Sequence, residues 1–242
     1  LHSRYLALVT FWGLLLFGSW SGIPESAPVP AWIPTLSTVA VVLGLVPLLA
    51  TALNYWRTVK GKCAVAWSDP ALRFVALGFL SFVGATLMYT ALALPRVAGV
   101  LQFTWFVPAQ HHLAIFGFFI LAATGGAYYL LPRVTGLPLC AFCVNVHFWV
   151  ALLGVLLTVI PLALAGVLQG LKLNAATLPF MDSVNATLMM LRVSTLGEAL
   201  VLFANFILVR NVVGVLVRLG RTQVSSLWAT ATAPMRAGEG TR

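Results

Sequence analysis

The chain has 242 residues, of which 61% are hydrophobic and 8% charged, against about 25% charged in a soluble domain. A mean hydropathy of +1.00 leaves too little polar surface for a water-soluble globule, so the chain reads as an integral membrane protein. The net charge of +9 does not mark a nucleic-acid partner, because the 14 basic residues gather at the ends of apolar runs, as the positive-inside rule predicts.

Long apolar runs with short polar breaks predict helices, since barrel strands would alternate. Six spans are expected, at about 5–20, 32–55, 71–94, 105–131, 144–168 and 184–216, in one membrane domain covering 1–242. The first is short and the last is long enough to tilt or run past the bilayer. The breaks read "GIPESAPVP" at 22–30, "SDP" at 68–70, "LPRVTGLP" at 131–138 and "KLNAATLP" at 172–179, all rich in turn residues. Positions 217–242 read as a cytoplasmic tail. Three cysteines give no disulfide framework. The first apolar run leads at once into further spans, so it is not read as a secretory signal. A start at Leu1 leaves open an unusual start codon, processing or a longer chain.

Charge then orients the loops. Arg4, Arg57, Lys60, Lys62, Arg73, Arg133, Arg210, Arg218, Arg221, Arg236 and Arg242 fall on one side, and Arg96, Lys172 and Arg192 on the other. Eleven against three puts both termini in the cytoplasm. Trp20, Trp32, Trp56, Trp105 and Trp149 lie near span ends, where interfacial anchors belong. Tyr128 and Tyr129 read as belt residues for the same reason.

Histidine inside a span is costly and points to function. His111 and His112 open the fourth span in "VPAQHHLAIFGFF". Neutral imidazole is a common axial ligand of b-type haem. Helix residues turn by about 100° each, so the two adjacent histidines cannot share one iron, and Gln110 and His112 face nearly opposite ways. A polar pocket or the headgroups would also accommodate both. Glu198, inside the sixth span, is a proton-path residue, an interface partner or a hydrogen-bonded neutral acid. His147 opens the fifth span and reads as structural. The "CAFC" at Cys140–Cys143 has no second pair, where zinc normally needs four ligands; a redox role is the other reading.

"HHLAIFGFFILAATGGAYYLLPRVTG" resembles the tenth helix of subunit I of haem-copper oxidases, in the branch of cbb3-type cytochrome c oxidases and nitric oxide reductases. "HFWVALLGVLLTVIPLALAGVLQG" is similar to helix eleven, "LRVSTLGEALVLFANFILVRN" to helix twelve, "DPALRFVALGFLSFVGATLMY" to helix nine, and the segment from Tyr5 to Thr38 to helices seven and eight. The resemblance implies an all-α bundle matching helices seven to twelve. It makes His112 the axial ligand of a low-spin b-type haem. Gln110 then stands where the family has its high-spin haem ligand. The loop "GSWSGIPESAPVPAW" lacks the family's histidine pair for copper or non-haem iron, and "FWGLLLFGSW" lacks its tyrosine. Arg192, toward the arginine-poor end of the sixth span, would pair with a haem propionate or snorkel to the headgroups.

The resemblance therefore implies an electron-transfer subunit of a respiratory oxidoreductase complex in a bacterial inner membrane, without copper and without the dioxygen- or nitric-oxide-reducing site. The second axial ligand would come from another chain bearing the N-terminal half, or from a longer form of this one. Expected partners are that subunit, c-type cytochrome subunits and the lipid bilayer. The other expectation is a haem-free structural pseudo-subunit that scaffolds such a complex.

Overall fold

The computed structural model describes residues 2–24, 27–175 and 177–239. Leu1, Arg242 and positions 25, 26 and 176 of two inter-span loops lie outside the described residues, as does the side chain of Arg236. Every regular element among the described residues is helical, with no strand. In chain order they are α1 (Arg4–Gly18), α2 (Trp32–Leu43), α3 (Leu45–Val59), α4 (Cys63–Ser68), α5 (Pro70–Leu92), α6 (Pro95–Leu101) and α7 (Phe106–His112). A π-helical segment (Leu113–Ile120) follows, then α8 (Leu121–Thr135), α9 (Ala141–Leu173) and α10 (Phe180–Glu239).

Five helical stretches are long and apolar enough to cross a membrane: Trp32–Val59, Pro70–Leu92, Phe106–Thr135, Ala141–Leu173 and Phe180–Ser225. The chain is a multi-pass membrane protein. The first expected span, at about 5–20, is α1, apolar but only 15 residues long, about 22 Å against a hydrocarbon core of about 30 Å. The stretch Trp32–Val59 is two helices, because the chain kinks at Gly44 between α2 and α3. The apolar part of α10 runs 46 residues, about 70 Å, so it continues well beyond any bilayer.

Local signals explain the element ends. Asp69 caps α5, its carboxylate accepting the Ala71 amide at 2.8 Å, with Pro70 in the first turn. Gly136, at φ 67°, ends α8 in a left-handed cap. Asn54 on α3 ties down the N-terminal segment: its Oδ1 accepts the His2 and Ser3 amides and its Nδ2 donates to the Ser3 carbonyl. The His2 backbone is thereby held against α3.

Apolar side chains gain little by leaving lipid for one another, so helix contacts depend on close approach. α9 is the hub. A Cβ on Gly166 would collide with the Phe106 backbone and one on Gly170 with the Val100 carbonyl, so this Gly-x-x-x-Gly face seats α6 and α7. On another face, Gly197 of α10 lies directly against the Thr158 backbone. Pro161 interrupts α9 one turn on, and the Ser194 hydroxyl donates to the Thr158 carbonyl at 3.1 Å. Phe74 of α5, fully buried, sits edge-on to Tyr128 and Phe148 and joins α5, α8 and α9.

Candidate functional site

Gln110 and His112 occupy opposite faces of α7, as the 100° rotation requires. Gln110 is buried and its Nε2 donates to the Ala85 carbonyl of α5 at 3.4 Å. Its Oε1 is buried without a hydrogen-bond partner. With His111 it lines a cavity of about 310 Å³ that Tyr89 of α5 and Ser37 and Thr38 of α2 also border. His111 is exposed toward that cavity, on a different side from His112.

His112 points the other way. Its Nε2 lies 3.9 Å from Glu198 Oε1 on α10, and the two side chains are 26% and 46% exposed. That separation is an ion-pair distance and too long for a hydrogen bond. The imidazole packs on Phe116 with ring centroids 5.2 Å apart, and its Nδ1 is buried with no partner. The helix widens to π form immediately after His112, a distortion found often at functional sites. Arg192 is exposed on α10.

The arginine-rich end holds a second polar cluster. Tyr128 is a correction to the belt expectation: it is 3% exposed and inside the bundle. Its phenol oxygen lies 2.7 Å from His147 Nδ1 and accepts from Asn211 Nδ2 at 2.9 Å. The phenol oxygen thus joins Asn211 of α10 to His147 of α9, sharing one proton-bearing contact with each. His147 is itself 2% exposed, with its Nδ1 engaged inside the bundle. Tyr129 remains outside, with the Arg133 guanidinium 3.5 Å above its ring. Trp20, Trp32, Trp56, Trp105 and Trp149 are all exposed, as anchors should be.

Compared with known proteins, residues 1–200 match the family described as Cytochrome C and Quinol oxidase polypeptide I. The chain belongs to this family. It is 26% identical over 196 residues to the cbb3-type cytochrome c oxidase subunit CcoN1 of Stutzerimonas stutzeri, covering 77% of this chain and 41% of that one. It is 25% identical over 235 residues to a bacteroid cytochrome c oxidase subunit 1 homolog of Bradyrhizobium diazoefficiens, covering 93% and 42%. Against a cytochrome c oxidase subunit 1 of Rhodobacter capsulatus it is 24% identical, covering 87% and 41%. This oxidase polypeptide I chain thus spans about two fifths of the length of the curated relatives it matches.

Haem is the group this family implies, and the histidines are the donors to test. His112 offers an imidazole nitrogen toward a half-open face inside a span, on the side of α7 away from the cavity that the exposed His111 lines. His147 Nδ1 is engaged by Tyr128, His2 is tied beside Asn54, and His111 faces the cavity. One axial position on this oxidase-like chain therefore fits, and a second donor to the same iron does not come from its own histidines. Among the described residues no three His, Cys, Asp or Glu side chains cluster as a metal site. Sequence reasoning missed that Glu198 meets His112 and that Asn211 completes the inner cluster. The only signal was that each is a polar residue in an apolar run.

Proposed function

We propose that the chain is a counterpart of helices seven to twelve of oxidase subunit I, with six spans and both termini in the cytoplasm of a bacterium. In this reading His112 holds a low-spin b-type haem on the open side of α7, and Arg192 pairs with a propionate. The observation that carries it is the exposed face of His112: an imidazole inside a span, with an unpaired buried Nδ1 and a half-open Nε2 side. Such a group is expensive in a membrane unless something else completes it. The haem would supply one-electron transfer. The chain's own residues bind it, orient it and exclude water, with Phe116 packed on the ligand ring.

Gln110 argues against dioxygen or nitric oxide reduction here. Its amide is a poor iron ligand and is held to the Ala85 carbonyl. The second axial ligand then comes from a neighbouring polypeptide or a longer form of this chain, in an inner-membrane complex with c-type cytochromes. One observation favours the haem-free scaffold instead: Glu198 already stands 3.9 Å from the nitrogen that iron would take.

A reduced-minus-oxidised spectrum of the purified membrane complex decides between them. Haem ligation predicts a b-type band that vanishes in His112→Ala and survives in His111→Ala. A band unchanged by His112→Ala would leave the scaffold reading standing.

A further inference from the structure

Neither reading uses the Cys140–Cys143 pair. Cys140 is the N-cap of α9, with extended backbone (φ −73°, ψ 103°), and its Sγ accepts the Cys143 amide at 3.4 Å. Its sulfur therefore sits at the positive end of a 33-residue helix. Serine, threonine, aspartate and asparagine are the usual residues there, so capping alone does not call for a thiol.

Arg210 reaches across from α10 and donates to Cys143 Sγ at 3.1 Å. Arg218 donates to the Pro138 carbonyl at 2.9 Å and holds the preceding loop against the same helix. Cys140 is exposed and Cys143 half-buried. An accessible sulfur, a second sulfur one turn into the helix, and a cation on the pair form the environment that stabilises a reactive thiolate. The Cys143 thiol and amide hydrogen bonds, with the Arg210 charge adding to them, hold the Cys140 thiol below its ordinary value of about 9. Cys63, on α4, is exposed and its sulfur lies 3.8 Å from the Val59 carbonyl.

We propose that Cys140 and Cys143 are a thiol–disulfide exchange site, with Cys140 the attacking thiolate and a low-molecular-weight disulfide such as oxidised glutathione the oxidant. The Cys140 thiolate attacks one sulfur of the incoming disulfide. Its S–S bond breaks and one thiolate leaves with the bonding pair. Cys143 loses its proton to solvent and attacks the Cys140 sulfur, releasing the second thiolate. Two protein thiols are oxidised to one disulfide and the oxidant is reduced to two thiols. Arg210 favours the thiolate without touching the incoming disulfide, so it is a positioning residue.

The test uses the full chain in its membrane complex on a Cys63→Ser background, with oxidised glutathione as the probe and intact mass as the readout. The native pair should end two hydrogens lighter with no glutathione retained. Cys143→Ser should instead trap one glutathione on Cys140, while Cys140→Ser, itself a good helix cap, should react slowly. The rate should rise with pH through a midpoint below 9, because a lowered thiol value puts thiolate into solution earlier. In Arg210→Gln the thiolate fraction of Cys140 should fall and the rate at neutral pH with it, the loss partly offset by the greater nucleophilicity of a more basic sulfur. Equal reactivity of Cys140→Ser and Cys143→Ser, or glutathione retained on the native pair, overturns the proposal.

Discussion

His112 and His147 both lie inside membrane-spanning helices, and their surroundings differ in kind. His147 is 2% exposed and packed against the rings of Phe74 and Tyr128, and its Nδ1 is engaged by a phenol that also meets Asn211. His112 is 26% exposed on its side chain, has one nitrogen buried without a partner, and faces a carboxylate at 3.9 Å. The two clusters are separated along α10 by the run from Glu198 to Asn211, about 20 Å. A membrane makes every polar group find a partner. Where the chain supplies it, as around His147, the polar group joins helices. Around His112 the chain leaves one nitrogen without a partner and one side half-open, the side to which the proposed haem is assigned.

That contrast is broken most directly by mutating the satisfied histidine. His147→Ala removes a fully packed ring and strands the Tyr128 hydroxyl, so it should cost about 3 kcal/mol of stability. Unfolding of the detergent-solubilised chain in mixed micelles would measure it. The haem band, if present, should survive this change, because His147 touches only the inner cluster. A smaller effect comes from Tyr128→Phe, which keeps the ring and leaves His147 Nδ1 and Asn211 Nδ2 unpaired. Its expected cost is about 1–2 kcal/mol, toward the upper end of measured interhelical hydrogen bonds in membranes. A cost near zero would mean that the cluster does not hold α8, α9 and α10 together.

Some of this was legible in the sequence. The opposed faces of Gln110 and His112 follow from helix rotation alone, and the Ala85 and Glu198 contacts place them so. The long apolar runs were equally plain. Tyr128 was misread because a tyrosine near a span end is an anchor or a core residue according to which face it occupies. That face depends on α9 and α10 arriving beside α8. Glu198 meeting His112 was hidden for a related reason. The pairing needs α10 to close on α9 through Gly197, and no local pattern reports a contact between residues so distant in the chain. Apolar periodicity does not encode the π-helical turn after His112 or the helix break at Gly44, although Pro47, which leaves the Leu43 carbonyl without a helical donor, marks the second.

The smallest expected effect is also the sharpest comparison. In the haem-free chain His112 makes no hydrogen bond, and its pair with Glu198 is long and partly open. A double-mutant cycle of His112→Ala and Glu198→Gln should therefore give a coupling below about 0.5 kcal/mol, within the range of exposed ion pairs. The same cycle on Tyr128→Phe and Asn211→Ala should give about 1 kcal/mol, because that hydrogen bond is 2.9 Å long and buried. If the His112–Glu198 coupling instead equals or exceeds the Tyr128–Asn211 value, the imidazole already has its partner in this chain. The case for a haem on that face would then be lost and the scaffold reading strengthened. A weak coupling leaves the α10 side of His112 free for the proposed haem, whose second ligand another chain would supply.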